Sequence, residues 1–129
     1  DGLVLVGDAF AFLDPVFSSG VFLALVSGER AAEAAHLGLM ASDTSSARFA
    51  EYGEWLCHGI EAMRALVHTF YDPTFSMGAM IRAHPELVGD VTDCLIGHLF
   101  RDFDALFTGL SEFGELPPPL AHGRARMRS

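Results

Sequence analysis

The chain has 129 residues, enough for one domain with a modest core, and half of its residues are hydrophobic. Its formal net charge of −9 argues against nucleic-acid binding, because phosphates demand clusters of lysine and arginine. No apolar run reaches the roughly 20 residues that span a bilayer and no signal peptide is recognisable, so a cytoplasmic protein with no membrane partner is expected.

Residues 3–6 predict a β-strand. They form an apolar run between Gly2 and the pair Gly7-Asp8, as is typical of a short buried strand. One strand cannot form a sheet, so its partner strands are expected to belong to a missing domain. A chain that starts at Asp1, just before such a strand, looks like a segment of a longer polypeptide. Part of its apolar surface is then expected to pack against that missing domain.

The first helix is predicted over residues 18–39. Ser18 or Ser19 is the natural N-cap, since a serine hydroxyl can accept hydrogen bonds from the N–H groups of a first helical turn. Small residues recur at every fourth position of this helix and are expected to let another backbone approach closely: Gly20, Ala24, Gly28 and Ala32.

Polar residues 43–46 predict the start of a second helix, which is long and amphipathic. Its apolar positions follow at steps of three or four and form one stripe: Phe49, Tyr52, Leu56, Ile60, Met63, Val67 and Phe70. The helix is expected to end at residues 71–73, because the residue before a proline disfavours helical dihedral angles.

A short helix is predicted near residues 74–82, and Pro85 suits the start of another long helical stripe. The apolar positions of that stripe are Val91, Leu95, Leu99, Phe103, Leu106 and Leu110. Residues 117–129 are expected to be a disordered tail rich in proline and arginine. The predicted fold class is mainly α: one N-terminal β-strand that belongs to a missing domain, followed by an antiparallel helical assembly.

The segment from Gly7 to Gly20 carries the pattern that points to a ligand. A carboxylate, Asp8, follows the predicted strand at the end where α/β folds bind ligands. Ser-Ser-Gly, residues 18–20, then begins a helix, and a helix N-terminus attracts anions through its unpaired N–H groups and partial positive charge. From its position alone, Asp8 could equally be a turn residue that accepts backbone N–H groups.

The same segment resembles the second flavin motif of FAD-dependent monooxygenases, in the variant carried by flavin-dependent halogenases. The resemblance extends over residues 2–33 and is carried by Gly7-Asp8-Ala9 and Asp14-Pro15-Val16-Phe17-Ser18-Ser19-Gly20. It implies that Asp8 binds a ribityl hydroxyl of FAD, with Asp14, Pro15 and Gly20 in the same cofactor loop. It also implies that Ser19 and Gly20 bind chloride or bromide.

The resemblance implies that the chain is the C-terminal part of a halogenase. Such enzymes use reduced FAD, O2 and halide to form hypohalous acid. Residues 1–40 would then be a piece of the FAD-binding domain and residues 41–116 its helical C-terminal region. A separate flavin reductase and the rest of the FAD-binding domain are the implied partners. Phe17 stands where tryptophan halogenases carry a glutamate, which favours the type that acts on phenols, pyrroles or alkyl positions, some of them tethered to carrier proteins.

Three parts of the family pattern are missing from this sequence. All eight basic residues are arginine, so the family's catalytic lysine is absent. Trp55 is the sole tryptophan, so the family's Trp-x-Trp-x-x-Pro segment is absent. The family's Gly-rich dinucleotide fingerprint does not occur either. No catalytic residue is therefore predicted within the chain, which by itself is expected to be inactive and to retain no FAD.

Two other functions fit parts of the sequence. An FAD-dependent hydroxylase or a reductase of the geranylgeranyl-reductase type would share the Gly-Asp and Asp-Pro elements. A helical interaction module without catalysis would use the apolar stripes to bind a protein.

A metal site is not predicted, although Cys94 and His98 lie one helical turn apart beside Asp93. Zinc requires four ligands, and Cys57-His58 could supply others only from a facing helix. Both cysteines are expected to be reduced thiols.

Overall fold

A computed structural model describes residues 1–14 and 17–118. Its helices are α1 (Gly20–Met40), α2 (Ala50–Tyr71), α3 (Met77–Ala83), α4 (Val88–Leu95) and α5 (Asp104–Phe113), with 3-10 helices at Gly7–Ala9, Ser46–Phe49 and Pro85–Leu87. The chain forms two compact units, Asp1–Cys57 and His58–Ser129. The mainly α class is confirmed. The predicted disorder of the tail beyond Pro118, like the position of Pro15, lies outside the described residues.

Residues 3–6 form no strand within the part of the chain that the structure describes. Val6 has extended dihedral angles, φ −135° and ψ 158°, and the N–H of Gly2 donates to the carbonyl of Thr44 at 2.9 Å. Because a strand exists only through its hydrogen-bonded neighbour, the β-strand in a missing domain stays a prediction.

In the first unit, α1 confirms the first predicted helix. Its buried positions repeat at helical spacing: Leu23, Ser27, Ala31 and Gly38. A backbone does approach the predicted stripe of small residues at Ala24, where a Cβ on Gly7 would lie 3.1 Å from the Ala24 Cβ. The rest of the stripe is not the buried face, since Ala32 is exposed and nothing lies within 4 Å of a Cβ added at Gly28. The reason is that α1 is apolar on most of its surface, so spacing alone does not select the side that packs.

In the second unit, the C-terminal half of α2 packs with the three shorter helices around one apolar core. The core residues with essentially no exposed surface are Met63, Leu66, Met80, Cys94, Leu99, Leu106 and Leu110, with Phe103 at 2%. α2 ends at Tyr71, directly before Asp72-Pro73, as predicted. α3 is the predicted short helix, and the Ser76 hydroxyl caps it by accepting the N–H of Ala79 at 3.3 Å.

The predicted long helix after Pro85 is wrong: it is two helices, α4 and α5, joined by residues 96–103. Gly97 ends α4 with φ +88°. The N–H of Gly97 donates to the Cys94 carbonyl at 3.2 Å, and the N–H of His98 donates to the Asp93 carbonyl at 2.8 Å. This pair of bonds is the Schellman termination, which glycine favours because a left-handed residue carries no Cβ penalty there.

Arg101 fastens the connection between α4 and α5. Its guanidinium donates to the carboxylates of Asp90 and Asp93 on α4 and lies 5.0 Å from the centre of the Phe103 ring. A ring nitrogen of His58 makes a 2.9 Å hydrogen bond with the Arg101 carbonyl. Leu99 and Phe103 thereby reach the core from a segment that is not helical.

The left-handed turn at Gly97 gives a stability prediction. Gly97→Ala is expected to lower the free energy of unfolding by about 1–2 kcal/mol, the penalty for an L-residue in this conformation. Gly89→Ala is the matched control, because Gly89 is helical and nothing lies within 4 Å of an added Cβ. There alanine is expected to raise stability by up to about 1 kcal/mol. Urea unfolding of both variants measures these changes in the free energy of unfolding. Equal effects of the two substitutions would contradict the left-handed conformation of Gly97.

His84 joins the turn after α3 to α5. Its Nε2 lies 2.8 Å from a carboxylate oxygen of Glu112, its Nδ1 lies 3.3 Å from Glu86, and its ring meets Phe113 edge-on. The hydrogen bond to Glu112, supported by that to Glu86, raises the pKa of His84 above 6.5. A raised folded-state pKa stabilises the fold below the unfolded-state value and ceases to do so as pH rises through the folded-state value.

This arrangement predicts a pH-dependent contribution to stability. The difference in unfolding free energy between the wild type and His84→Gln is expected to be larger at about pH 5.5 than at about pH 8.5. Denaturant titrations at both pH values measure it. His36→Gln, a change at an exposed histidine of α1, is the control. A difference that grows with pH would contradict the ion-pair geometry.

Candidate functional site

The structure brings two of the predicted site residues together. Asp8 lies in the 3-10 turn Gly7–Ala9, and Gly20 is the first residue of α1. A Cβ placed on Gly20 would lie 3.9 Å from a carboxylate oxygen of Asp8. The turn therefore places its exposed carboxylate beside the N-terminal end of α1, and we call this the Asp8–Gly20 corner.

The N-terminal end of α1 is not capped by a serine side chain. Ser19 occupies the N-cap position, but no hydrogen bond from the described helix backbone reaches its hydroxyl. The predicted N-cap position at Ser19 is therefore confirmed, but its hydroxyl does not make the expected capping bond. Its backbone is already helical (φ −77°, ψ −13°), whereas a capping serine adopts extended angles that aim Oγ at the first turn. Ser18 has φ +53°, and Ser19 is buried.

Two side chains that sequence reasoning did not assign to the site hold this turn. The N–H of Gly7, a residue with φ +53°, donates to Ser27 Oγ at 2.9 Å. The Tyr52 hydroxyl donates to the Leu5 carbonyl at 2.7 Å. The only sequence signal for Ser27 is a polar residue on the buried stripe of an apolar helix, and Tyr52 reads as an ordinary stripe residue.

The other residues of the predicted loop differ in exposure. Asp14 is exposed, Phe17 is half-buried, and Pro15 lies outside the described residues. The cofactor role of the Asp14-Pro15 element stays a prediction.

The corner has the chemistry to bind rather than to react. It offers a carboxylate that accepts hydrogen bonds from hydroxyl groups, beside first-turn N–H groups that attract an anion. Glycine at position 20 leaves the space next to Asp8 open, since a side chain there would project towards the carboxylate. These residues fit one side of an FAD molecule: a hydroxyl-bearing chain at Asp8 and negative charge at the helix end.

The candidate metal ligands do not assemble. Among the described residues, no group of three or more His, Cys, Asp and Glu side chains could hold a metal ion. Burial raises the pKa of the Cys94 thiol to about 12, so the sulfur remains a protonated core group. His98 Nδ1 lies 3.8 Å from Asp93, and neither cysteine is in a disulfide.

A cleft of about 310 Å³ lies on the first unit, and none of the predicted site residues is among its lining residues. It is lined by Arg30, Glu33, Ala34, Leu37, Arg48, Glu51, Tyr52 and Trp55. The Arg30 guanidinium lies 5.2 Å from the Trp55 ring centre and 3.2 Å from the Glu33 carboxylate. Because these charges pair with one another, the cleft does not select a ligand of one sign.

No helix in the described parts of the chain combines the length and apolar character of a membrane span. Fold and site together define a helical chain in which an exposed carboxylate lies beside the N-terminal end of a long helix.

Comparison with known proteins finds similarity to two halogenating enzymes. Over 100 residues, 78% of this chain, the sequence is 33% identical to a 1H-pyrrole-2-carbonyl-(peptidyl-carrier protein) brominase of Pseudoalteromonas luteoviolacea. Over 100 residues it is also 30% identical to the 1H-pyrrole-2-carbonyl-(peptidyl-carrier protein) chlorinase of Pseudomonas fluorescens. Both names describe halogenation of a carrier-bound pyrrole, and neither describes a hydroxylase or a reductase.

The matched segment is a small part of each relative, 24% of the brominase and 22% of the chlorinase. The chain thus spans about a quarter of the length of the curated relatives that it matches. No protein-family model matches the chain, and no solved structure matches it significantly.

Proposed function

We propose that this chain is the C-terminal part of a flavin-dependent halogenase that acts on a small substrate held by a carrier protein. The observation that carries the proposal is the Asp8–Gly20 corner: a carboxylate beside a helix end whose N-cap residue, Ser19, makes no side-chain capping bond. Similarity to a carrier-protein brominase and a carrier-protein chlorinase supports the choice of halogenation among flavin reactions.

In this proposal Asp8 binds a hydroxyl of FAD. An exposed carboxylate at a helix end can accept such a hydrogen bond, and a hydrogen bond to a charged group contributes about 1.5–3 kcal/mol. When bound and reduced, FAD supplies the electrons with which O2 is activated to oxidise the halide. The residues of this chain orient the cofactor and take no part in proton transfer.

Chloride or bromide binds in the proposal at the backbone of Ser19 and Gly20. The first-turn N–H groups of α1 and the partial positive charge of the helix end attract an anion. This attraction amounts to about 0.3–1 kcal/mol, or up to about 2 kcal/mol where partly buried. Such a site holds halide weakly, as suits a substrate that must leave.

The rest of the FAD-binding domain is the proposed partner of the apolar surface. Four large apolar side chains of the first unit are 70–74% exposed: Leu3, Phe12, Val21 and Leu25. A group of this kind marks a surface that packs against another protein surface. The greater length of the two relatives supports a longer polypeptide that supplies this domain and the lysine absent from the chain.

The test uses the full polypeptide that contains this chain, with a flavin reductase and its nicotinamide reductant, FAD, O2 and pyrrole-2-carbonyl carrier protein. With bromide or chloride, mass spectrometry is expected to find hydrogen replaced by halogen on the carrier-bound pyrrole. In halide-free buffer no halogenated product forms. A hydroxylated product that forms without halide would contradict the proposal, as would unchanged substrate under all conditions.

A further inference from the structure

We propose that Ser27 and Tyr52 are positioning residues that fix the Gly7–Asp8 turn against α1 and α2 so that Asp8 faces Gly20. The inference rests on the proposed function, because it concerns how the same corner is held for FAD. It goes beyond that function by assigning roles to two residues far from Asp8 in sequence.

Ser27 fixes the turn from α1. Its hydroxyl is completely buried and makes two hydrogen bonds at once. It donates to the Ala24 carbonyl in its own helix at 3.2 Å and accepts the N–H of Gly7 at 2.9 Å. The first bond is the usual one for a mid-helix serine. The second bond joins residues 20 positions apart and gives the N–H of Gly7 a hydrogen-bond acceptor.

Close packing makes this contact specific. A Cβ on Gly7 would lie only 3.1 Å from the Ala24 Cβ and 3.3 Å from its Cα. Gly7 also has φ +53°, which an L-residue adopts only at an energetic cost. The turn therefore packs directly against α1 at Ala24, and the hydrogen bond to Ser27 fixes the distance between the turn and the helix.

Tyr52 fixes the same segment from α2. Its side chain is 7% exposed, and its hydroxyl donates to the Leu5 carbonyl at 2.7 Å. Its ring meets the Phe10 ring edge-on at 6.2 Å. Burial raises the pKa of the Tyr52 hydroxyl, so the group remains a hydrogen-bond donor at neutral pH.

Residues before and after Asp8 are thus held, while the Asp8 side chain itself stays exposed. Leu5, Gly7 and Phe10 each contact a buried group on a helix of the same unit. A carboxylate on a turn held in this way has few positions to occupy relative to Gly20. Positioning of this kind lowers the conformational entropy that the protein must lose when a ligand binds.

The test compares Ser27→Ala, Tyr52→Phe and Thr69→Val. Thr69 is a matched control, because its fully buried hydroxyl donates to the Ala65 carbonyl of its own helix at 2.8 Å. In the full polypeptide, Ser27→Ala and Tyr52→Phe are expected to weaken FAD binding by about tenfold or more, as misplacement of a binding group does. Thr69→Val leaves the FAD dissociation constant unchanged.

A second readout needs no cofactor. In the 129-residue chain, hydrogen exchange at the Gly7 amide is expected to accelerate in Ser27→Ala and to stay at the wild-type rate in Thr69→Val. Tyr52→Phe keeps the aromatic core intact, so it tests the role even if Ser27→Ala fails to fold.

Three results would overturn the inference. If Asp8→Ala weakens FAD binding but neither positioning variant does, the positioning role fails while the proposed function survives. If Ser27→Ala, Tyr52→Phe and Thr69→Val all weaken FAD binding in proportion to the stability that each loses, the role of Ser27 and Tyr52 is structural only. If the wild-type polypeptide binds no FAD, the proposed function fails and the positioning role fails with it.

Discussion

Asp8→Ala is expected to weaken FAD binding to the full polypeptide by about 10- to 150-fold. The physical reason is loss of one hydrogen bond between a hydroxyl and a carboxylate, about 1.5–3 kcal/mol. The fold is expected to stay within about 0.5 kcal/mol of the wild type, because Asp8 is exposed in a turn held by its neighbours. Flavin fluorescence titration and urea unfolding measure the two quantities.

Glu29→Ala is the control for this change. Glu29 is another exposed acidic residue of the first unit, on α1, and removing it alters net charge by the same amount. If both variants bind FAD as tightly as the wild type does, Asp8 is only a turn residue. If both lose affinity equally, the effect is one of overall charge, and either result contradicts the role given to Asp8.

Phe103→Ala is expected to lower the free energy of unfolding by about 3–5 kcal/mol, the cost of deleting a buried aromatic ring and leaving a cavity. Phe103 is 2% exposed, and it contacts Phe107 and the Arg101 guanidinium that fastens the connection between α4 and α5. The variant is expected to leave the second unit marginally stable or unfolded, because total stabilities are only about 5–15 kcal/mol.

Ile96→Ala is the matched change at an exposed site of the same connection, where the side chain is 68% exposed. It is expected to shift stability by no more than about 0.5 kcal/mol. Thermal unfolding followed by circular dichroism compares the two. A small effect of Phe103→Ala would contradict the position of residues 96–103 against the core.

Local signals in the sequence were enough to predict where α2 ends and roughly where α3 lies. α2 ends where Asp72-Pro73 follows, and α3 (Met77–Ala83) lies close to the predicted residues 74–82, whereas α2 begins at Ala50, later than the polar residues 43–46 suggested. Both depend on backbone chemistry within a few residues, so neighbouring sequence contains the information. The two-helix arrangement after Pro85 was missed because the apolar spacing continues across Gly97. Leu99 and Phe103 are buried without being helical, and periodicity does not distinguish the two cases.

The candidate site was predictable only in its short-range part. The meeting of Asp8 and Gly20 followed from one motif of 14 residues from Gly7 to Gly20. The supports at Ser27 and Tyr52 could not be derived, because their bonds join residues 20 and 47 positions apart. The buried side of α1 was also missed, since it depends on which surfaces pack against a helix that is apolar nearly all round.

The most direct test of the corner is a crystal structure of the full polypeptide with FAD and bromide, measured at the bromine absorption edge. We expect an anomalous peak within hydrogen-bond distance of the Ser19–Gly20 backbone and a hydroxyl of FAD on the Asp8 carboxylate. Flavin and bromide bound away from the N-terminal end of α1 would contradict it.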